Sequence, residues 1–343
     1  MRTVLTGLTL LLFASMLHAA CSGAVPITVL ELMNIIGNQL GLTSSVSIDE
    51  QKDLVFHIIR LPRIILGVLV GASLSIAGAS LQGLFRNPVA DAGLIGVTSG
   101  ASLFAMIIIM LNVKFLGIIN EYAGAYTISF ASFIGAALTT LLVYQLSKRN
   151  GKGDTTTILL FGLAINAMVG AITGLMTYLA DDDQLRSITF WNLGSLGGAS
   201  WISVSAVLPF VLISFLLIPY LSKSLNLLVL GESQAAALGV NLVQLKRQII
   251  ILATMGVGAS VAVTGTIGFI GLVVPHIIRS AFGPDHKMLL PGSALVGAIV
   301  LTFADTLSRT IVAPAELPIG IITAMLGAPF FLYILWKQNR KRI

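Results

Sequence analysis

Long apolar stretches recur along the whole chain and are separated by short polar segments. Runs with few or no charged residues cover 3–20, 64–85, 93–111, 123–146, 156–180, 201–222, 248–278, 288–304 and 317–336. Most of them match the roughly 20 residues that a helix needs to cross a hydrocarbon layer about 30 Å thick. The pattern predicts an all-α polytopic membrane protein, in which one membrane domain occupies residues 1–343.

The run at 248–278 is too long for one crossing and too short for two full crossings with a loop between them. It contains Gly265, Gly268 and Pro275, and these residue types interrupt helices. We therefore expect one full helix, a break near Gly265 and a shorter helix within 265–280. This division brings the predicted number of transmembrane helices to ten.

The run at 64–85 carries no charge and is rich in glycine, alanine and serine. Small residues allow close helix packing in a bilayer, so we expect this helix to be surrounded by others. Arg60 and Arg63 precede it. Pro88 follows it and disfavours helix at Asn87. The Asn-Pro turn is either an ordinary connection or a helix end that lines a pathway.

Two polar segments invite functional interpretation. The segment 180–200 combines Arg186 and Trp191 with a glycine-rich turn, which is typical of an interfacial aromatic belt or of a short re-entrant helix near an outer mouth. The segment 223–247 predicts two short helices broken near Gly231 and Gly239. Its leucines indicate an amphipathic interfacial loop or, as we favour, a docking surface for a cytoplasmic protein.

Composition supports the membrane assignment. The 343 residues are 56% hydrophobic and 10% charged, with a mean hydropathy of +0.96, whereas soluble domains carry about 25% charge. The pI near 9.6 does not indicate nucleic-acid binding, because the charges form short clusters between apolar runs, as membrane loops do. The single cysteine excludes an internal disulfide and argues against a thiolate metal cluster.

The N-terminal segment resembles a secretory signal peptide that ends at a lipoprotein-type cysteine, Cys21. Arg2 is its only early basic residue, and His18 occupies a position where a small or aliphatic residue is expected. We therefore favour retention as the first membrane span over cleavage near Cys21.

Charge asymmetry predicts the orientation. Ten spans place both termini on one side, and with the N-terminus inside, fourteen of the 20 Lys and Arg residues are cytoplasmic while six are outside. Basic residues are enriched in cytoplasmic loops, so both termini are expected in the cytoplasm.

Several kinds of chemistry lack their sequence signatures. There is no phosphate-binding loop of the Gly-x4-Gly-Lys-Ser/Thr type, so the chain itself is not expected to hydrolyse ATP. The four histidines are scattered, and no metal site is expected. Asp305 is the one candidate for the intramembrane carboxylate that ion-coupled carriers need, which counts against such a carrier. Asp305 and Arg309 are spaced for an i,i+4 ion pair.

An internal repeat is weakly indicated. Residues 70–78, VGASLSIAG, resemble residues 257–265, VGASVAVTG. The predicted topology makes these two helices run in opposite directions, as in transporters with inverted repeats. We accordingly expect two inverted pseudo-repeats, roughly spans 2–5 and 7–10.

Five ordered motifs carry a resemblance to a known family. They are RLPR at 60–63, LFRNPVADAGLIGV at 84–97, LGESQAAALGV at 230–240, GFIGLVVPHIIR at 268–279 and AELPIGIITAMLGAPFFLYIL at 315–335. Over almost the whole chain it resembles the type II ABC importer permeases for iron-siderophores, haem and cobalamin. The resemblance implies a permease homodimer in a bacterial inner membrane, two ATPase subunits on the cytoplasmic side that use ATP, an extracytoplasmic binding protein and no permanently bound cofactor.

The resemblance also implies residue roles. Arg60, Arg63 and Arg309 match arginines that pair with glutamates of the binding protein, although snorkelling at the interface is an alternative role for them. Asn87, Val89, Thr155 and Thr156 match the cytoplasmic gate, although Thr156 could instead cap a helix. The residues that match the contact with the ATPase are Leu230, Gly231, Glu232, Ala235, Leu238 and Gly239.

The substrate class is the least constrained expectation. The segments ADDDQLRSITFWNLGSLGG and LQGLFRNP most resemble the haem-importing branch. Arg186 at the outer mouth could attract haem propionates or pair with Asp181 to Asp183. A ferric siderophore remains the alternative, followed by cobalamin. Ala92 departs from the family's NPxADPG pattern, which leaves this turn less rigid.

Overall fold

The structure, a computed structural model, describes residues 1–39, 41, 49–111, 126–149, 152–153, 155–313 and 315–340. Fifteen α-helices account for most of this part of the chain. They are α1 Arg2–Cys21, α2 Val29–Gln39, α3 Glu50–Leu54, α4 Leu61–Phe85, α5 Val97–Leu111, α6 Tyr126–Leu146, α7 Thr155–Leu179, α8 Asp182–Leu193, α9 Trp201–Leu217, α10 Ser222–Leu228, α11 Glu232–Ala237, α12 Leu242–Thr264, α13 Ile270–Phe282, α14 His286–Ser308 and α15 Ile319–Arg340.

Shorter elements connect some of these helices. A π-helical turn at Val55–Arg60 joins α3 to α4, and 3₁₀ turns occupy Gly93–Ile95 and Ile218–Leu221. Two two-residue strands, Lys148–Arg149 and Lys152–Gly153, pair antiparallel between α6 and α7. The fold is therefore essentially all-α, as the apolar pattern predicts.

Seven helices are long and apolar enough to cross a membrane, by length and composition. These begin at Arg2, Glu50, Tyr126, Thr155, Trp201, Leu242 and His286. Three shorter apolar helices are Val97–Leu111, Ile270–Phe282 and Ile319–Tyr333. The chain is a multi-pass membrane protein, and the count of ten crossings and the inverted repeats stay predictions.

The helix α4 lies at the centre of the fold, as its small residues predict. It packs against α14, α12, α13 and α9, and most of its side chains are buried. A Cβ atom at Gly78 would collide with the backbone of Gly271 in α13, and one at Gly71 would collide with Gly297 in α14. Glycine thus allows these backbones to touch.

The predicted break near Gly265 is confirmed. The helix α12 ends at Thr264, Gly265 follows with φ +69°, and α13 begins only at Ile270. The carbonyl oxygen of Trp191 accepts a hydrogen bond from the Thr266 amide at 3.4 Å. The short helix predicted near 180–200 is α8, and it therefore packs beside the broken segment.

Candidate functional site

Two clusters of charged side chains that include predicted site residues lie at opposite ends of the long helices. The first cluster centres on Arg63 at the start of α4. Its Nε donates to both carboxylate oxygens of Asp305, at 2.9 and 3.1 Å, and its Nη1 donates to Glu316 at 2.8 Å. Arg63 and Asp305 are buried, whereas 44% of the Glu316 side chain is exposed. A buried arginine thus joins a buried carboxylate to one at the surface.

The predicted pairing of Asp305 with Arg309 is confirmed. Their side chains approach to 3.5 Å within α14. Asp305 therefore lies between two arginines, and its negative charge is compensated inside the protein. This arrangement is that of a structural ion-pair network rather than of a free carboxylate waiting for a transported ion.

Arg60 and Arg309 both donate hydrogen bonds to backbone carbonyls of residues 19–25, which we call the N-terminal segment. Arg60 donates to the Ala20 carbonyl at 2.7 Å and to that of Val25. Arg309 donates to the Ser22 carbonyl at 2.7 Å and to that of Ala19. The last carbonyls of a helix have no intrahelical donor and carry partial negative charge. The C-terminal end of α1 is therefore a natural partner for cations.

These contacts bear on the three arginines that the family resemblance implies for docking. Arg60, Arg63 and Arg309 are 4%, 6% and 8% exposed, so in this conformation they are neither snorkelling nor presented to a partner. Their docking role stays a prediction, and it now requires the N-terminal segment to move. Glu316, which the sequence reasoning did not single out, is the surface group of this cluster.

The second cluster centres on Glu232, the first residue of α11. Its carboxylate accepts hydrogen bonds from Lys246 Nζ at 2.8 and 2.9 Å and from Thr155 Oγ1 at 2.7 Å. Lys246 belongs to the first turns of α12 and is buried. Thr155 begins α7. One carboxylate thus connects three helices.

The electrostatics of Glu232 follow from these contacts. Burial acts to raise the pKa of Glu232, but the hydrogen bonds from Lys246 and Thr155 and the Lys246 charge outweigh burial. The pKa of Glu232 therefore lies below its ordinary value, and the side chain is ionised at neutral pH.

The segment around Glu232 has the two breaks that the sequence predicts. Gly231 and Gly239 have φ values of +116° and +88°, which side chains with a Cβ rarely adopt. Leu230 and Leu238 are 56% and 58% exposed, whereas Ala235 is fully buried. The short helices thus present apolar tips at the surface, and their binding of an ATPase stays a prediction.

The residues predicted for the cytoplasmic gate lie next to this cluster. Thr155, Thr156 and the segment Leu230–Gln234 line one cavity of about 500 Å³ together with Phe85 and Arg86. The structure therefore brings the end of α4, the start of α7 and α11 to one place. Thr156 is the second residue of α7, and its role in the gate stays a prediction.

The turn after α4 is organised by its own polar groups. Asn87 Oδ1 accepts a hydrogen bond from the Val89 amide at 3.1 Å. Asp91 Oδ1 accepts one from the Leu94 amide at 3.1 Å. Burial nevertheless raises the pKa of Asp91 above its ordinary value. Val89 is 36% exposed, and the gating role of Asn87 and Val89 stays a prediction.

The outer-mouth residues have separate surroundings. Arg186 lies over the Phe190 ring at 5.8 Å. No ion pair joins it to Asp181–Asp183 in the described part of the chain. Trp191 is half-buried and packs against the hydrophobic core. Trp191 therefore has a packing role, whereas Arg186 stays accessible to a ligand.

Sequence reasoning did not single out Lys246 either. It lies just before the apolar part of the seventh predicted span, where a lysine is ordinary in a membrane protein. Within the described ranges, no group of three or more His, Cys, Asp or Glu side chains lies together in a way that could hold a metal ion.

Comparison with known proteins places this architecture in a family. The profile of the FecCD transport family matches residues 8–337. The chain belongs to the FecCD transport family. The hemin transport system permease protein of Yersinia pestis is 45% identical over 85% of this chain and 86% of its own length. The cobalamin import system permease protein of Halobacterium salinarum is 41% identical over 84% and 75%.

A solved structure supports the same assignment. A metal-chelate type ABC transporter in an inward-facing conformation superposes with a TM-score of 0.84 and 31% identity, covering 98% of this chain and 100% of the other. The FecCD protein described here is thus a permease subunit of a type II ABC importer of the class that carries haem, siderophores or cobalamin. It is a transport subunit and not itself an enzyme.

Proposed function

We propose that this FecCD permease imports haem, using ATP hydrolysed by separate cytoplasmic subunits and substrate delivered by an extracytoplasmic binding protein. The supporting observation for the coupling step is the Glu232 cluster. A carboxylate on the helix predicted to contact the ATPase is hydrogen-bonded to Thr155 of the predicted gate at 2.7 Å. A displacement of α11 would therefore be transmitted directly to the start of α7.

Haem is favoured over other chelates by two observations. The hemin permease has the higher identity of the two relatives compared above, at 45% against 41% for the cobalamin permease. The motifs around 180–198 also resemble the haem branch. A difference of this size leaves a cobalamin or ferric siderophore importer as the second candidate.

The remaining parts of the proposal concern assembly and orientation. We infer a homodimer in a bacterial inner membrane, with both termini cytoplasmic. Arg60, Arg63 and Arg309 would receive glutamates of the binding protein after the N-terminal segment moves away. Charge complementarity of this kind guides association and orientation more than it adds affinity.

The test is ATP-dependent uptake in liposomes that contain the permease, its ATPase and its binding protein. We expect haem to accumulate in the liposomes when ATP is present. A ferric siderophore and cobalamin should not accumulate under the same conditions. Replacement of Glu232 by Ala should reduce uptake while ATP hydrolysis by the complex persists, because the contact with Thr155 is lost. The matched control is Glu50→Gln, which changes an exposed carboxylate in α3 outside both clusters.

Each other result has a definite meaning. ATP-dependent uptake of a siderophore or cobalamin alone would retain the importer mechanism and replace the substrate. Uptake that follows a proton or sodium gradient and ignores ATP would contradict the importer and point to Asp305 as the coupling residue.

A further inference from the structure

A groove of about 600 Å³ lies between α6 and α12, away from both charged clusters. Its body is apolar and includes Phe133, Leu141, Ile250, Ile251 and Met255. Small-molecule sites commonly have volumes of about 300–1,000 Å³, so the groove can take a drug-sized ligand or part of a lipid. The transport mechanism proposed above does not use this groove.

One end of the groove is basic. Lys148 follows the end of α6, and Arg247 lies in the second turn of α12. Both are exposed, and neither forms an ion pair among the described residues. Lys148 Nζ donates to the neutral Gln145 at 3.0 Å and lies 5.0 Å from the centre of the Tyr144 ring. None of the described residues that line the groove is acidic.

The start of α12 adds to this positive potential. Its first turn contains no acidic residue, and the N-terminal end of a long helix carries partial positive charge. The basic end of the groove is therefore suited to an anion.

Two hydroxyl groups lie in the wall of the groove. Thr140 and Thr254 both line the groove and are 4% and 8% exposed. Neither Oγ1 atom has a hydrogen-bond partner in the described part of the chain. These hydroxyls are enclosed in the groove wall, and their threonines add polar side chains to a largely apolar lining.

The length of the groove matches one leaflet of a bilayer. From Arg247 to Met255 the helix α12 rises about 12 Å, and from Phe133 to Leu146 the helix α6 rises about 20 Å. Half of a hydrocarbon layer is about 15 Å thick. The basic end is at the predicted cytoplasmic face, where membranes present anionic lipids.

We infer that this groove binds one anionic glycerophospholipid of the cytoplasmic leaflet. Lys148 and Arg247 contact its phosphate headgroup, and an acyl chain lies along Leu141, Ile250 and Ile251. Basic pockets between membrane helices recognise anionic headgroups in this way. The inference is independent of which substrate the permease carries.

The experiment is native mass spectrometry of the full-length chain released from nanodiscs made of equal parts phosphatidylglycerol and phosphatidylcholine. We expect about one phosphatidylglycerol retained per chain. The double variant Lys148→Gln, Arg247→Gln should bind it about thirtyfold more weakly, because each cation near an anionic headgroup contributes about a factor of five. Ala137→Trp, which fills the groove from an exposed position, should abolish retention of either lipid.

The matched control is Lys223→Gln, Lys287→Gln, which removes two exposed cations from the same predicted face outside the groove. This control should retain phosphatidylglycerol as the unchanged protein does. An equal loss of phosphatidylglycerol in the control would mean that net charge alone explains the binding, and it would overturn the inference. So would equal retention of the two lipids, unchanged retention in Ala137→Trp, or a groove found to be covered by a second copy of the chain.

Discussion

At the scale of single residues, the lowered pKa of Glu232 predicts that its contribution to stability depends on pH. A carboxylate whose pKa is lowered on folding stabilises the folded state above its unfolded pKa, near 4.5, and this contribution is lost as the pH falls through the folded pKa. We therefore expect Glu232→Gln to lower stability at pH 7 by about 1–2 kcal/mol, because the variant loses a charged hydrogen bond that is partly screened by solvent.

Thermal unfolding in detergent at pH 7 and at pH 3 would measure this difference. The stability difference should be smaller at the lower pH, because protonation of Glu232 removes the charge that strengthens its hydrogen bonds. Glu50→Gln is the control and should change stability at neither pH. A Glu232→Gln defect of the same size at both pH values would mean that shape, and not charge, is responsible.

The burial of Asp305 predicts how the cluster centred on Arg63 contributes to stability. Replacing it with asparagine leaves Arg63 and Arg309 buried without their shared counter-charge, and losing one partner of a buried ion pair costs about 3–5 kcal/mol. Glu316→Gln should cost less than about 1 kcal/mol, because 44% of that side chain is exposed. Unfolding midpoints of the two variants would test this order, and equal midpoints would contradict the burial of the Asp305 network.

Residue contacts were predictable only where sequence spacing defines them. The Asp305–Arg309 pair follows from i,i+4 spacing on one helix. The contact between Thr155 and Glu232 joins residues 77 positions apart, and no local pattern specifies it. The burial of Arg60 depends on backbone carbonyls of the N-terminal segment, and backbone groups are the same for every sequence.

At the scale of elements, the close packing of α4 predicts that larger residues in place of its glycines destabilise the protein. Gly78 touches the backbone of α13, so a Cβ atom there requires two helices to separate. We expect Gly78→Val to be destabilising by at least about 3 kcal/mol, through overpacking.

Gly170→Ala is the matched control, because it lies within α7 with no atom within 4 Å of an added Cβ. It should leave stability unchanged or raise it by up to about 1 kcal/mol, since alanine favours helix over glycine. The yield of folded protein from membranes and the unfolding midpoint would be compared. Normal folding of Gly78→Val would show that α4 and α13 pack less closely.

Helix breaks were the elements most readily predicted from sequence. Gly231, Gly239 and Gly265 all have positive φ values, and glycine is the residue type that adopts them without strain. The π-helical turn at Val55–Arg60 was not predicted, because its sequence is as compatible with ordinary α-helix. Arg60 at the end of this turn and Arg63 just after it both form tertiary hydrogen bonds.

At the scale of the whole molecule, the number of crossings depends on α13. Its 13 residues rise about 20 Å, less than the roughly 30 Å of a hydrocarbon layer. The non-helical residues 265–269 must therefore lie within the membrane thickness if α13 completes a crossing. Backbone of this kind is tolerated at such depth where protein buries it, and α8 packs against this segment through Trp191.

Single-cysteine labelling would test both the crossing and the orientation. In a Cys21→Ser background, a membrane-impermeant maleimide should label Asp182→Cys from outside and Ser233→Cys only in inside-out vesicles, because α9 separates these exposed positions. If α13 crosses, Pro284→Cys should behave like Ser233→Cys, since α12 and α13 then form an out-and-back pair. The Cys21→Ser protein, which has no cysteine, is the control for labelling specificity. Labelling of Pro284→Cys from outside would show that α13 does not cross, and an inverted pattern at all three positions would place both termini outside.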